Sequence, residues 1–502
     1  MKGWAQPVGP SQPLTFTADS LVTTIIGTEE VNTLWGNAKI DQGVVHIEAD
    51  KAVLYSGTNR AVLTGNVRVT QPGAVMTAPR AEYEGNTRLA TAPEGMTLHE
   101  DGATLRAGWG TYNMYSRIAQ FRSGVVLEDG KSTLHAATGD YFAVERRAVF
   151  MGGVRVKSDS GTITSHKLTY WRDSRESFAV GDVVLISDSH AARLTGDTVR
   201  NRPAHGYTLA TGSPKLVQVD TTTASDSART VRYDTTVVTA LKLEAFRSGR
   251  EEYLATDSAR LRRGTLEAIA GVARFIMDDS IIALGPRHQG PSADTIVTGR
   301  RPVTDTTAAR DSGNAGNAQA RRDLYPVVWY DRSQLTGDTI TVGLTERKLR
   351  TIDVVGNAFA VTEGTMPLRF DQLAATRLLF DVLRDTIRSV HAQGLASSIY
   401  FMYDSNLPTG VNRTSGDTIN IAFDNGQASN IAIIGRRARS EGEYFPEQYV
   451  AGQENAYRLE GFRWLGRDGS VEKLNASLPK APSIPSVPPQ EGGAGTISSR
   501  PR

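Results

Sequence analysis

Cysteine is absent from this 502-residue chain. That excludes disulfides and thiolate metal sites. No apolar run approaches the ~20 residues of a membrane-spanning helix. Net charge is also scarce: 56 Lys and Arg stand against 54 Asp and Glu, leaving +2. A dedicated nucleic-acid binder would show a basic face, so that class is set aside. The apolar fraction is 39% and the aromatic fraction 7%. Such modest content suits strands with one wet face better than a deep globular core. The opening stretch MKGWAQPVGPSQPL has no apolar core of the kind a secretory signal carries.

Glycine, by contrast, is plentiful at 48 residues, and its placement reveals a repeat. Anchors fall at Gly36, Gly65, Glu94, Ser123, Gly152 and Gly181, each 29 residues after the last. Two before each anchor sit Leu34, Leu63, Ala92, Phe121, Phe150 and Ala179. Two after sit Ala38, Val67, Met96, Val125, Val154 and Val183. Four after sit Ile40, Val69, Leu98, Leu127, Val156 and Leu185. The residue between the last two columns is usually polar. This alternation is the signature of a strand with one buried face. A fourth column holds Leu54, Tyr83, Tyr112, Tyr141, Tyr170 and Val199. A fixed period in this range means an array of stacked units that share one continuous core.

The repeat sets the expected boundaries. Residues 1–15 read as a polar lead and 16–285 as regular β repeats, with the register loosening at Gly212. Residues 286–323 are small and polar, and read as a disordered insertion. Residues 324–478 read as a looser continuation, and 479–502 as a disordered Pro/Gly/Ser-rich tail. The stretch 370–385 could pass for a short helix, but its surroundings favour a pair of strands. At about ten residues per strand and turn, the ordered part would hold about 40 strands. Two sheets at ~4.8 Å per strand would then reach on the order of 100 Å.

Catalytic patterns are missing. GVVLEDGKS (124–132) has five residues between its glycines where a phosphate loop needs four. His46, His99, His135, His166 and His190 fall in different units and form no metal pair. The acidic turns lack the ligand spacing of a calcium loop. No nucleophile stands beside a base. The sequence therefore points away from an enzyme and calls for no cofactor and no metal.

The motifs ADKAVLY (49–55), NRAVLTGNVRV (59–69), APRAEYEG (78–85), RIAQFRSGVVLED (117–129), ATGDYFAVERRAVFMGGVRV (137–156) and FAVGDVVLISD (178–188) together resemble the organic-solvent-tolerance A-like family. The resemblance is strong over 30–220 and weaker to about 440. It implies an all-β fold: an elongated, V-shaped antiparallel β-jelly roll, here unusually long. It also implies a periplasmic bridge for lipopolysaccharide or a similar glycolipid, with acyl chains held inside the V. Implied partners are homologous jelly rolls, joined end to end by strand addition, and an outer-membrane barrel translocon. Leu34, Leu63, Val67, Val69, Met96, Leu98, Phe121, Val125, Leu127, Phe150, Val154, Val156, Val183 and Leu185 would line the groove. Any one of them could equally be plain core. Tyr83, Tyr112, Tyr141 and Tyr170 would stand at its lip, ring inside and hydroxyl wet. Arg60, Arg68, Arg147 and Arg155 read as a solvated outer face. The alternative is a structural β-solenoid, scaffold or adhesin, with a filled core and no lipid.

Overall fold

The computed structural model describes residues 14–100, 102–130, 132–187, 191–223, 231–286, 325–345, 348–424, 427–435 and 440–467. The expected insertion and tail, most of the lead, and His190 lie outside these. The described residues form thirty-two strands, all paired antiparallel, and almost no helix.

Half of the strands serve two layers at once. Val45–Tyr55 and Arg60–Gln71 pair from Tyr55↔Arg60 to Lys51↔Thr64, lose register, then pair again from Glu48↔Arg68 to His46↔Thr70. The same break recurs between Arg122 and Val125, Met151 and Val154, Val180 and Val183, and Val355 and Ala358. Each break is a bend. Residues on one side build a first arm and those on the other side a second arm, and the two arms face each other along the chain. Eight rows are interrupted at the bend and count as two strands each, as in Leu89–Ala92 and Met96–Glu100. The thirty-two described strands thus make twenty-four rows. The expected 40 counted each half-strand separately. The expected length survives, because twenty-four rows at ~4.8 Å span on the order of 110 Å.

The repeat anchors sit at these bends, and backbone geometry explains why. Gly65 and Asn66 have φ of 77° and 48°, and Gly356 and Asn357 have 76° and 46°. Two consecutive left-handed residues turn a strand sharply, and glycine takes this conformation without a Cβ penalty. An aspartate from the preceding row folds over the bend. Asn66 Nδ2 donates to Asp50 Oδ2 at 2.9 Å, as Asn37 does to Asp19. A Cβ on Gly65 would collide with that same Asp50 oxygen. The recurrent AD and GN motifs are therefore two halves of one corner. Gly65→Val is expected to cost about 1–3 kcal/mol, the cost of a β-branched residue held at positive φ. A urea titration checks this, and an unchanged midpoint would contradict the corner's role.

Alternation along each row aims apolar residues between the arms. One core runs from Leu34 to Ala210 and a second from Val238 to Ile419. A third lies on the outer side of the second arm, near the C-terminal end. There Ala358, Phe359, Ala360 and Val361 are all buried, so both faces of the strand are covered. Its outer cover is the segment after Pro446, which begins with one helical turn, Glu447–Val450. The strap is pinned by polar contacts. Arg369, only 3% exposed, donates to Glu447 at 2.5 and 3.0 Å and reaches Glu454 at 3.4 Å. Gln334 and Gln372 bond to strap backbone at Arg463, Leu465, Tyr457 and Leu459. Arg458 lies over the rings of Phe370 and Phe462 at 5.0 and 4.5 Å. The helical alternative for 370–385 fails. Phe370–Leu383 is one bent strand, not a pair, because it crosses from arm to arm like its neighbours.

Candidate functional site

All fourteen residues expected to line a groove face the space between the arms. Leu63, Leu98, Phe121, Phe150 and Val183 are fully buried, at 0% exposure. Leu34, Val67, Val69, Met96, Val125, Leu127 and Val154 are buried in the same core. Val156 and Leu185 are only partly buried against it. The arms thus touch over the first ten rows, and the interior there is filled. The four arginines take the outer positions: Arg68 and Arg155 are exposed, Arg60 pairs with Glu82 at 2.5 Å, and Arg147 with Glu145 at 2.7 Å.

The tyrosines stand at the free margin of the first arm, close to the hairpin turns. Tyr83 and Tyr112 are 1% exposed, so the expected wet hydroxyl is corrected. These hydroxyls cross to the second arm. Tyr83 Oη donates to Gln42 Oε1 at 2.7 Å, and Gln71 Nε2 donates to Tyr112 Oη. Burial pushes the Tyr112 hydroxyl up to about 12, aided by the nearby Glu100 charge. Burial likewise raises Tyr83, Tyr141 and Tyr170. A phenol that ionises later in the folded chain stabilises the fold fully below pH 10, and that stability is lost as pH rises toward 12. The wild type is therefore expected to lose stability across that window. Tyr112→Phe should flatten the loss, as thermal melts at pH 9, 10 and 11 would show.

The space between the arms opens further along. A cavity of about 470 Å³ is lined by Leu185, Leu194, Leu216, Val238, Leu243 and Phe275, among others. It lies where the first core passes into the second. Small residues in large columns contribute. The column that carries Ile47, Met76, Leu105, Leu134 and Ile163 at 29-residue steps continues as Ala192. Ala192, Ala245 and Ala255 line the cavity wall itself. Leu194, Leu216 and Leu243 are only partly buried in consequence. Polar groups also sit on the wall: Glu244, 5% exposed, accepts from Tyr207 at 2.7 Å and meets Lys242 at 3.0 Å, and Tyr253 donates to Glu251 at 2.5 Å. Arg247 lies exposed on the rim. Volume and apolar lining match those of small-molecule sites. The sequence did signal this place, through the slipped register at Gly212, but gave no reason to read a slip as a cavity. Among the described residues no group of acidic or histidine side chains is placed to hold a metal.

These features define a class: a two-armed antiparallel β-jelly roll, bent along its whole length, with an apolar interior. Within that class, residues 15–166 match the family described as OstA-like protein. A search among curated proteins finds no match. One solved structure with similarity is that of LptH, the LptA-homologous periplasmic component of the lipopolysaccharide transport device of Pseudomonas aeruginosa. It shares 16% identity, and the match covers 36% of this chain and 95% of that one at a TM-score of 0.17.

Proposed function

We propose that this chain is a periplasmic bridge that shelters the acyl chains of lipopolysaccharide, or a similar glycolipid, on the way to the outer membrane. The observation that carries the reading is the apolar cavity between the arms, set in a chain with an OstA-like segment. The length of the rod, on the order of 110 Å, suits a bridge built from few subunits. Both ends offer strand edges. At the first row, Leu21, Val22, Ile25 and Ile26 are 51 to 75% exposed on the strand Ser20–Ile26. An apolar edge of this kind recruits another strand. Homologous jelly rolls and the barrel translocon are the partners this implies. Among the described residues no helix is long and apolar enough to cross a membrane.

The scaffold reading draws on a real feature, the filled interior from Leu34 to Val154. The two readings part at the cavity. Ala192→Trp would fill it from a half-exposed position with little strain. Affinity for purified lipopolysaccharide, measured by fluorescence titration, is expected to fall about tenfold. Unchanged affinity, or no binding by the wild type, would favour the scaffold.

A further inference from the structure

A column of polar residues runs along the free margin of the second arm: Gln42, Gln71, Glu100 and Asp129, each 29 residues after the last. Opposite, on the first arm, stand Tyr83, Tyr112, Tyr141 and Tyr170 together with Arg117 and Arg172. The two sets meet across the mouth of the V. Gln42 takes the Tyr83 hydroxyl and Gln71 donates to that of Tyr112. Arg117 donates to Glu100 at 2.6 Å. Arg172 lies 3.8 Å from Asp129 and donates to the Glu100 carbonyl at 3.1 Å. Gln42 and Glu100 are buried, at 5% and 3% exposure. The links therefore form a seam that seals the mouth over the filled rows.

One and two steps later the polar column continues as Ser158 and Ser187, while the tyrosine column continues as Val199. A serine side chain reaches less far than glutamine or glutamate, and the Ser158 hydroxyl turns to its own hairpin, 3.0 Å from Ser160 Oγ. The cavity begins here, with Leu185 and Ser187 on its wall. Two independent features, the end of the cross-arm tyrosines and the start of the empty space, thus fall at one place.

We infer that the seam determines where acyl chains pass between the arms. It bars sideways access to the rows from Leu34 to Val154 and leaves the gap beyond Tyr170 as the point of exchange. Gln42, Gln71, Glu100 and Asp129 are then positioning residues that act by exclusion. This rests on the proposed lipid-binding function and adds the place of access. The physical basis is an asymmetry of cost. An acyl chain entering at Leu216 meets apolar side chains, whereas one entering above Leu127 must break buried polar links and leave them unpaired.

The test uses the full chain with a photoreactive benzophenone side chain at Leu216 or at Leu127, and purified lipopolysaccharide as probe. In the wild type, label is expected at Leu216 and not at Leu127. Asp129→Ala combined with Arg172→Ala removes the link beside Leu127 and should raise labelling there about fivefold, leaving Leu216 unchanged. As a second variant, the charge swap of Glu100→Arg with Arg117→Glu keeps a pair and should stay closed. Equal labelling of both positions in the wild type overturns the seam's role while the lipid-binding function stands. So does an opened variant that melts like the wild type and shows no rise at Leu127. Absence of label at Leu216 removes the proposed function, and the inference with it.

Discussion

Phe150→Ala is expected to lower the unfolding free energy by about 3–5 kcal/mol, the cost of emptying a fully buried aromatic site. Phe150 is 0% exposed. Its ring rests directly on Gly139, where an added Cβ would come within 2.9 Å of it. The fit depends on a glycine in the neighbouring row, so surrounding backbone cannot collapse into the space without losing the ladder Gly139↔Phe150. In a stacked repeat each row contacts mainly its neighbours, so damage should stay local. Hydrogen exchange should therefore accelerate in the strands Arg147–Ser158 and Gly161–Trp171 before it does near Leu378. A loss below ~1 kcal/mol, or uniform acceleration along the rod, would contradict this packing.

Asp371→Asn is expected to act in the opposite direction. Asp371 lies at the start of the strand Phe370–Leu383, beside the third core and its strap. Its carboxyl accepts a hydrogen bond from the Phe401 backbone N–H at 2.9 Å. Burial pushes the group up to about 7, against the smaller opposing effects of that hydrogen bond and of Arg332. The folded chain thus holds a proton that the unfolded chain releases near pH 4. Stability is therefore highest below pH 4 and falls as pH rises toward 7. Asparagine keeps the acceptor and removes the charge. Each tenfold change in proton affinity is worth ~1.4 kcal/mol, so at pH 8 the variant should be more stable by about 2–4 kcal/mol. The residue's small exposed edge favours the low end. At pH 4 the two should coincide. Urea titrations at both pH values decide it, and equal stability at pH 8 would show that the carboxylate is satisfied in place.

What could be read in advance follows from which interactions are local. Burial of Leu63, Phe121 or Val154 is a matter of alternation within one strand, and the 29-residue period exposed it. The strand at 370–385 was recognisable by its β context, although its bend, which crosses arms, was not. The anchors at Gly36 and Gly65 were visible as a period, but their paired left-handed geometry was not. That geometry depends on Asp19 and Asp50, each one row away. The seam was hidden for a similar reason. Gln42, Gln71, Glu100 and Asp129 share no chemistry beyond polarity, and Gln42 meets Tyr83 only because the arms fold together 41 residues apart. The strap over Phe359 and Phe401 has no period at all. Its cue was the group Tyr457, Phe462 and Trp464, unusually aromatic for a chain with 7% aromatics. The cavity is the subtlest case, since it arises in part from residues that are smaller than their column predicts.

If acyl chains lodge between the arms at the cavity, light can capture them there. A photoreactive side chain is placed at Leu216, at Phe121 and at Arg68 in turn, and each protein is exposed to purified lipopolysaccharide. Leu216 in the cavity should capture the glycolipid, Phe121 in the filled core should capture little, and Arg68 on the outer face none. Capture at Arg68 without capture at Leu216 would contradict a lipid site between the arms.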